Sequence, residues 1–283
     1  MTTTVTRAGT RTAAGTATGA GTAPTADPET ATSGGRLTGR TALVTGGSRG
    51  IGRGTALRLA RDGARVGVHY GSNADAAHET VAAIEAAGGT AFALGADLAD
   101  PDAPEALWAA FDRAADGLDI LVNNAGIGSA SPFAAIGRAE FDRLLAVNTR
   151  APFFLTRAAL PRMRDGGRIV NISTGLTRTA VLHDLIAYSM SKAALDLFTR
   201  DLSKTLGPRG ITVNAVAPGI VDTDNTAPII RATPAAWEQA AAYSALGRVG
   251  TPADIADVVA FLASDDARWI TGHWLDASGG SIV

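Results

Sequence analysis

The chain has 283 residues, of which 46% are hydrophobic and 18% are charged, a composition typical of one globular α/β domain. Its formal net charge of −2 argues against a nucleic acid or an anionic membrane as partner, because both favour a basic surface. The lack of cysteine excludes disulfides and cysteine-ligated metal sites, and no segment has the apolar length of a transmembrane helix, so we expect a cytoplasmic protein.

The beginning of the chain differs in composition from the rest. Residues 1–36 are dominated by Thr, Ala and Gly without hydrophobic periodicity, which predicts a disordered extension. Arg7 and Arg11 fit the composition of an organelle transit peptide, but arginines are too sparse for a strong targeting signal, and an apolar secretory region is missing. We therefore expect the folded domain to comprise residues 37–283.

From Arg40 onward, short apolar runs alternate with helical patterns, which predicts βαβ units and a parallel sheet. The expected strands are residues 42–45, 65–70, 90–96, 120–123, 168–173, 211–216 and 273–276. The expected helices are residues 51–62, 74–87, 104–115, 138–164, 185–206 and 253–264. Right-handed crossovers place helices on both faces of such a sheet, so the predicted fold is a single-domain, doubly wound Rossmann-type α/β protein with seven parallel strands.

Residues 218–250 form a long irregular connection that contains Pro218, Pro228 and Pro234. A connection of this length in a compact domain is typical of a lid or a binding segment. The segment contains two aromatic residues, Trp237 and Tyr243. For each of them the sequence leaves two alternatives, contact with a substrate or burial in the core. We predict a substrate lid at about residues 218–250.

A glycine-rich loop, TGGSRGIG, follows the first predicted strand and leads directly into a helix. Gly46, Gly50 and Gly52 permit a tight turn and let a pyrophosphate approach the backbone. Unpaired N–H groups and the helix dipole favour an anion at the helix N-terminus. On the first strand-to-helix turn of a parallel sheet, this loop predicts dinucleotide binding.

Tyr188 and Lys192 are four residues apart in YSMSK on a predicted helix, so their side chains project from one face. A tyrosine hydroxyl has an ordinary pKa of about 10. An ammonium about 4 Å away stabilises the phenolate by roughly 4 kcal/mol at an effective dielectric constant of about 20. Such a pair occurs by chance on many solvated helices, but beside a dinucleotide loop it predicts that Lys192 lowers the pKa of Tyr188.

Four motifs in order resemble the short-chain dehydrogenase/reductase family, and the likeness covers residues 39–280. The motifs are TGGSRGIG, NNAG at residues 123–126, YSMSK, and the Pro-Gly pair at residues 218–219. The resemblance implies hydride transfer between a nicotinamide cofactor and a carbonyl or secondary alcohol carbon. It also implies that Tyr188 gives or takes the substrate proton, that Lys192 binds the nicotinamide ribose and lowers the tyrosine pKa, and that Asn148 holds a proton-relay water.

The family has a catalytic hydroxyl residue after the fifth strand, where this chain reads GRIVNISTG. Alignment with the family's usual strand places Thr174, and not Ser173, at that position. Successive strand residues face opposite ways, so the two hydroxyls cannot both point at a substrate. We therefore predict Thr174 as the hydroxyl that bonds the reacting oxygen, with ordinary turn chemistry of the pair as the alternative.

The charges near the second strand bear on the choice of cofactor. An NAD-specific site normally has a carboxylate there, whereas this strand ends VGVHYGSN with no acid before Asp75. Arg49 supplies a cation where a ribose 2′-phosphate would lie, and a charge-assisted hydrogen bond is worth about 1.5 to 3 kcal/mol. Ser72 and Asn73 offer neutral hydrogen bonds. The sequence favours NADP(H), with a solvated loop arginine as the alternative for Arg49.

The resemblance implies further cofactor-binding residues at the carboxyl ends of the strands. Asp97 is expected beside the adenine ring, and Asp222 in PGIVDT is an acid that the family pattern lacks. No metal site is predicted, because the four histidines lie in different segments without ligand spacing. The predicted cofactor-binding residues are Gly46, Ser48, Arg49, Gly50, Ile51, Gly52, Tyr70, Ser72, Asn73, Asp97, Leu98, Asn124, Ala125, Gly126, Tyr188, Lys192, Pro218, Gly219, Ile220, Val221 and Thr223.

The predicted function is NADP(H)-dependent reduction of a small-molecule ketone, by a protein similar to the 3-oxoacyl-thioester and polyketide ketoreductases of the family. The family is commonly tetrameric, which implies a homotetramer or a homodimer. One alternative is a dehydratase or epimerase that uses the dinucleotide transiently. Another is a non-catalytic NADPH-binding regulatory protein, against which the intact Asn148, Tyr188 and Lys192 argue.

Overall fold

The computed structural model describes residues 35–281, so the predicted disordered extension lies outside the described residues except for its last two. The strands are β1 Thr41–Val44, β2 Arg65–Tyr70, β3 Thr90–Gly95, β4 Leu118–Asn123, β5 Met163–Ile172, β6 Thr212–Pro218 and β7 Trp274–Ala277. The α-helices are α1 Gly50–Arg61, α2 Ala74–Ala86, α3 Ala103–Phe111, α4 Arg138–Leu145, α5 Ala151–Ala159, α6 Ile186–Leu206, α7 Ala227–Ile230, α8 Pro234–Ala242 and α9 Pro252–Ala263.

The seven strands form one parallel sheet in the order β3-β2-β1-β4-β5-β6-β7, which confirms the predicted fold class. The strand order reverses between β1 and β4. In open α/β sheets, ligands bind outside the carboxyl ends of the strands at such a switch point. The glycine-rich loop follows β1 and the NNAG segment ends β4, so the topology brings the two motifs together at this point.

Helices cover both faces of the sheet because alternate strand residues face opposite sides. Ala42 and Val44 of β1 pack with α1, α2 and α9 in one hydrophobic cluster. Leu43, between them in sequence, packs with α3, α5 and α6 in a second cluster. The strands are therefore apolar on both sides, as expected of a fully covered parallel sheet.

The predicted helix at residues 138–164 is interrupted by a π-helical segment, Ala146–Arg150, between α4 and α5. The N–H of Ala151 donates to the carbonyl of Ala146, which is the π-type pattern. Pro152 lacks an N–H and cannot make the usual α-helical bond to the carbonyl of Asn148. The sequence analysis missed this segment, which contains the predicted catalytic Asn148.

The same prediction is also wrong at its end, because α5 stops at Ala159. Residues from Met163 onward belong to β5, where Met163 pairs with Leu118 of β4. The regular pairing of β4 with β5 begins at Ile120 and Arg168, and the register shifts between Leu118 and Ile120. This irregularity lets β5 begin as early as Met163. Pairing with a neighbouring strand thus overrides the helical pattern of the segment.

The connection at residues 218–250 contains the two short helices α7 and α8. Ile230, Ala240 and Val249 form a small hydrophobic cluster of their own. Trp237 and Tyr243 keep 39% and 37% of their surface exposed, so neither is a core residue. Among the described residues, no helix has the length and apolar character that a membrane crossing needs.

Candidate active site

The glycine-rich loop forms a tight cradle at the start of α1. Gly46 and Gly50 adopt positive φ angles of 62° and 52°, which glycine accepts without steric strain. A Cβ atom on Gly52 would lie 2.0 Å from the carbonyl oxygen of Gly46, so the close approach of helix to loop requires glycine there. The N-cap residue, Arg49, makes no side-chain capping bond, which leaves the first-turn N–H groups of α1 to an anionic ligand.

Thr45 and Asn124 join the loop to the end of β4. The Thr45 hydroxyl accepts the N–H groups of Asn124 and Ala125 at 2.9 and 3.0 Å. The side-chain amide of Asn124 donates to the carbonyl oxygens of Thr45 and Gly46 at 2.8 and 3.1 Å. Asn124 and Ala125, both predicted to bind the cofactor, therefore connect the end of β4 to the glycine-rich loop after β1.

His69 fastens the loop from the other side. Its Nδ1 accepts the N–H of Gly46 at 3.0 Å, and its Nε2 lies 3.0 Å from the carbonyl oxygen of Ala96, to which it donates as Nε2–H. Burial lowers the pKa of His69 to about 4, and the hydrogen bond to Ala96 opposes the shift. The ring is therefore neutral at neutral pH and acts as a packing residue.

Asn148 is buried in the π-helical segment, where both ends of its amide have protein partners. Its Oδ1 accepts the N–H of Ile127, and its Nδ2 donates to the Ile127 carbonyl and to the Ser191 hydroxyl, all at 2.9 Å. Ser191 in turn donates to the carbonyl oxygen of Tyr188 at 2.6 Å. The π-helical segment thus positions the first turn of α6, which carries Tyr188.

The two hydroxyls that follow β5 have different partners. The Thr174 hydroxyl accepts the N–H of Leu176 at 3.3 Å and lies close enough to the Tyr188 side chain to oppose the rise of the tyrosine pKa. Ser173 donates to the Asp196 carboxylate. The structure therefore brings Thr174, and not Ser173, to the tyrosine, in line with the alternation expected of an extended chain.

In the described geometry, the Lys192 charge is not among the causes that shift the pKa of Tyr188, so the predicted lowering by Lys192 stays a prediction. Burial raises the pKa of Tyr188 above its ordinary value, and the hydrogen bond from Thr174 opposes the rise. The Lys192 ammonium is directed elsewhere, because its Nζ donates to the carbonyl oxygen of Ile172 at 2.7 Å. Burial also lowers the pKa of Lys192 to about 8, while the nearby Asp196 charge opposes that shift.

Gly126 lies against both catalytic candidates on the floor of the site. A Cβ atom there would lie 3.1 Å from the Lys192 Nζ and 3.2 Å from the Asn148 Oδ1. Glycine therefore leaves room for these side chains. A cavity of about 470 Å³ opens beside them, lined by residues 127–131 and by Glu140, Arg143 and Leu144.

The residues predicted near the adenine ribose follow β1 and β2. Arg49 and Ser72 are exposed, and Asn73 caps α2 by accepting the Ala76 N–H at 3.0 Å. The Tyr70 ring lies across Gly95, where a Cβ atom would come within 2.8 Å of it.

Some predicted cofactor residues have their side chains engaged by the fold. Leu98 and Val221 are buried in the two hydrophobic clusters, so only their backbones can face a ligand. Asp97 accepts the N–H of Ala99 at 3.0 Å. Ser48 accepts the Thr80 hydroxyl at its backbone carbonyl, and Ile51 packs against the core.

The segment after β6 closes over the glycine loop. A Cβ atom on Gly50 would lie 3.4 Å from Thr223, and one on Gly219 would lie 2.9 Å from the carbonyl oxygen of Ser278. Pro218 ends β6, and Ile220 accepts the Gly250 N–H at 2.9 Å. Pro218, Gly219, Ile220 and Thr223 therefore lie at the same edge as the loop, as predicted.

Asp222 has a role that the family pattern did not indicate. Its two carboxylate oxygens accept from the Arg231 guanidinium at 3.0 and 2.6 Å. This bidentate pair joins the end of β6 to the residue after α7. Asp222 therefore stabilises the predicted lid.

Sequence reasoning missed several residues that organise the site, namely Thr45, His69, Asn171, Ser191 and Asp196. Asn171 accepts from Asn123 at 2.8 Å and donates to the Thr199 hydroxyl at 2.8 Å, so it links two strands to α6. The polar residues inside otherwise apolar strands were the available signal, because buried polar groups require partners. Within residues 35–281, no cluster of metal-ligating side chains is found.

Comparison with known proteins identifies the family. The family model described as Enoyl-(Acyl carrier protein) reductase matches residues 46–281, which is most of the chain. The chain belongs to the short-chain dehydrogenase/reductase family. This confirms the resemblance inferred from the four ordered motifs.

Characterised members of the family with similar sequences are reductases. Versicolorin reductase 1 of Aspergillus parasiticus is 42% identical over 256 residues, covering 87% of this chain and 98% of that protein. The promiscuous reductase LugOII, which catalyses keto-reduction at C1 during lugdunomycin biosynthesis, has a TM-score of 0.84 and 50% identity, covering 88% of this chain and all of its own. The angucycline C-6 ketoreductase LanV with bound NADP has a TM-score of 0.84 and 49% identity, covering 88% of this chain and 98% of its own.

Proposed function

We propose that this short-chain dehydrogenase/reductase is an NADPH-dependent ketoreductase whose substrate is a polyketide ketone. The observation that carries the chemistry is the convergence of Thr174, Tyr188 and Lys192 at the carboxyl end of β5. The similarity to versicolorin reductase 1, LugOII and LanV supports the substrate class. We place the reacting carbonyl beside Thr174 and Tyr188, and the cavity lined by residues 127–131 offers room for the rest of the ketone.

The residues present fit a dinucleotide phosphate. The positive φ angles of Gly46 and Gly50 and the uncapped N-terminus of α1 form an anion cradle at the switch point. Arg49 is exposed next to this cradle and binds the ribose 2′-phosphate, with Ser72 and Asn73 beside it. When bound, NADPH supplies the hydride for the carbonyl carbon.

The chain's own residues control the proton. Tyr188 is partly buried, and with a raised pKa it is a neutral phenol, which is the form that donates a proton to the oxygen of a reduced carbonyl. Thr174 hydrogen-bonds the same oxygen and stabilises the charge that develops there. Lys192 would hold the nicotinamide ribose of the bound cofactor, and its buried ammonium is the cation nearest this part of the site.

Asn148 completes the proton path through its backbone. Its side-chain amide is engaged by Ile127 and Ser191, and Pro152 cannot donate to its carbonyl oxygen. We therefore place the relay water on the Asn148 carbonyl. Asn148 lies in a π-helical segment, where the backbone hydrogen bonds depart from the regular α-helical pattern. Such segments are frequent at functional sites.

We propose that the protein forms a homo-oligomer in the cytoplasm. Support for the oligomer comes from an apolar face on α5 and α6, where Phe153 and Leu197 keep 46% and 50% of their surface exposed. The rings of Phe153 and Phe198 lie 5.4 Å apart beside a groove of about 220 Å³. A contiguous apolar surface of this kind is typical of a subunit interface. The occupant we propose is the same face of a second copy.

We further propose that residues 218–250 form a lid over the substrate. The exposed aromatic side chains of Trp237 and Tyr243 support this role, and Thr223 already lies against the glycine loop. The Asp222–Arg231 pair anchors the first part of the segment. Closure would exclude water from the reacting carbonyl.

The test is an NADPH consumption assay on a panel of angucycline polyketides, 3-oxoacyl thioesters and simple ketones. The wild type is expected to consume NADPH with a polyketide ketone and to form the secondary alcohol. Tyr188→Phe should lower kcat by at least about 100-fold, because it removes the proton donor, and should leave the Kd for NADPH within about threefold. A Tyr188→Phe enzyme that keeps its kcat would contradict the mechanism, and product formation without net NADPH consumption would favour a dehydratase or epimerase.

A further inference from the structure

Asp196 is a half-buried carboxylate behind the catalytic end of β5, and the proposed reaction does not use it. It lies on α6 one turn after Lys192. The Ser173 hydroxyl donates to its Oδ1. Burying a carboxylate is costly unless it is paired, so its position beside the site calls for a reason.

Asp196 and Lys192 hold two consecutive residues of the same strand end. Lys192 donates to the carbonyl oxygen of Ile172, and Asp196 accepts from the side chain of Ser173. The next residue is Thr174, which has extended backbone and lies close to the Tyr188 side chain. Because neighbouring residues of an extended chain point to opposite sides, a bond that fixes Ser173 to Asp196 also restricts the direction of the Thr174 side chain.

Asp196 and Lys192 are four residues apart on α6, so their side chains share one face of the helix, although they do not form an ion pair within 4 Å. Around Lys192 lie the Ile172 carbonyl from β5, Asn148 from the π-helical segment, Gly126 after β4, and Tyr188 and Asp196 on α6 itself. Of these groups, only the Asp196 carboxylate carries a negative charge, and it works against the burial that lowers the pKa of Lys192 to about 8.

Further groups stabilise the carboxylate form of Asp196. Burial raises the pKa of Asp196, but hydrogen bonds from Ser173 and Thr177 and the charges of Arg178 and Lys192 oppose the rise. The Arg178 guanidinium is held 4.0 Å from the centre of the Trp274 ring of β7. Asp196 therefore lies between a fixed exposed cation and the buried catalytic one.

We propose that Asp196 is a positioning residue, which orients Thr174 through Ser173 and places a negative charge on the face of α6 that carries Lys192. Its kinetic consequences rest on the proposed ketoreductase function, whereas its electrostatic effect on Lys192 is independent of that function. Asp196→Asn keeps an oxygen that can accept from Ser173 but removes the charge. Ser173→Ala keeps the charge but removes the tether, so the two variants separate the two roles.

The direct test is an NMR titration of the lysine side chains in protein labelled with ¹³C-lysine. The chain has two lysines, Lys192 and Lys204, and Lys204 is exposed, so Lys204→Arg assigns both signals. In Asp196→Asn the Lys192 signal is expected to titrate about one pH unit or more below the wild type, because an opposite charge nearby favours the ammonium. Asp196→Glu should restore most of the shift, and Ser173→Ala should leave the titration within about 0.3 pH units of wild type.

The kinetic test measures kcat/KM for NADPH against pH, which reports the enzyme before cofactor binding. The alkaline limb is expected to move to lower pH in Asp196→Asn by the same amount as the Lys192 titration. Ser173→Ala is expected to lower kcat about three- to tenfold without moving the limb, because it frees Thr174 but leaves the charge.

An unchanged Lys192 titration in folded Asp196→Asn would overturn the electrostatic role. An unchanged kcat in Ser173→Ala would overturn the tether role. If Asp196→Asn does not fold, Asp196→Ser, which is neutral and smaller, takes its place in the same titration. A wild type that reduces no ketone would defeat the proposed function, yet the titration would still decide the role of Asp196.

Discussion

Ser173, the first residue after β5, donates a hydrogen bond to the carboxylate of Asp196 on α6. Thr174, its neighbour, accepts the N–H of Leu176 and lies close to the Tyr188 side chain. The two neighbouring hydroxyls therefore have different surroundings, and only Thr174 lies close to Tyr188. We accordingly expect Thr174, and not Ser173, to assist proton transfer.

Removing the Thr174 hydroxyl is expected to damage catalysis far more than removing the neighbouring one. Thr174→Val, which keeps the shape of the side chain, should lower kcat by about 100-fold, because one donor to the developing oxyanion is lost. Thr174→Ser should keep activity within about tenfold of wild type. Steady-state kinetics with a reducible ketone measure these effects, and a larger loss for Ser173→Ala than for Thr174→Val would assign the catalytic hydroxyl to Ser173.

Arg49 is expected to select NADPH over NADH. Arg49→Ala should weaken NADPH binding by roughly 10- to 150-fold, the value of one charge-assisted hydrogen bond, and should change NADH binding by less than about threefold. Arg53→Ala is the matched control, because Arg53 is also exposed in the first turn of α1. Fluorescence titration with both cofactors gives the affinities, and equal losses for the two would defeat the assignment.

His69 is expected to make the stability of the domain depend on pH. Its pKa is about 4 in the folded protein and about 6.5 when unfolded, so the unfolded chain binds more protons between these values. The free energy of unfolding should therefore fall as the pH drops through this window, by about 2 kcal/mol between about pH 7 and pH 5.

Urea unfolding of the wild type and His69→Gln at the two pH values checks this expectation. The variant cannot titrate at this position, so its stability should fall by about 2 kcal/mol less than that of the wild type. His78→Gln, at an exposed histidine of α2, serves as control and should behave like the wild type. A parallel loss in the wild type and in His69→Gln would show that His69 does not cause the pH dependence.

The apolar face on α5 and α6 is expected to mediate self-association. Phe153→Asp places a charge in the proposed interface and should raise the dissociation constant of the oligomer by more than about 100-fold. The mass of the protein in solution should therefore decrease. Light scattering after size-exclusion chromatography measures the mass. Phe133→Asp, at a residue with 76% exposure outside this face, should leave the mass unchanged. A monomeric wild type at micromolar concentration would contradict the proposed oligomer.

Much of the fold could be predicted, and the candidate catalytic residues could be named, because the signals are local. The alternation of short apolar runs with helical periods indicated the parallel sheet, and its strands were placed to within a few residues except at the start of β5. The glycine loop could be located because only glycine accepts the positive φ angles at Gly46 and Gly50. The helix at residues 138–164 was predicted wrongly because strand pairing at Met163 is a long-range contact.

The sequence by itself determined the fold class, the order of the motifs and the identity of the residues at the carboxyl ends of the strands, since periodicity and glycine placement act within a few residues. Only the tertiary structure decided the protonation chemistry. The pKa of Tyr188 rises instead of falling because burial outweighs its neighbours, and the Lys192 ammonium points to the Ile172 carbonyl. The proposed role of Asp196 likewise depends on the tertiary structure, because its burial and its contacts are set by the packing of β5 against α6.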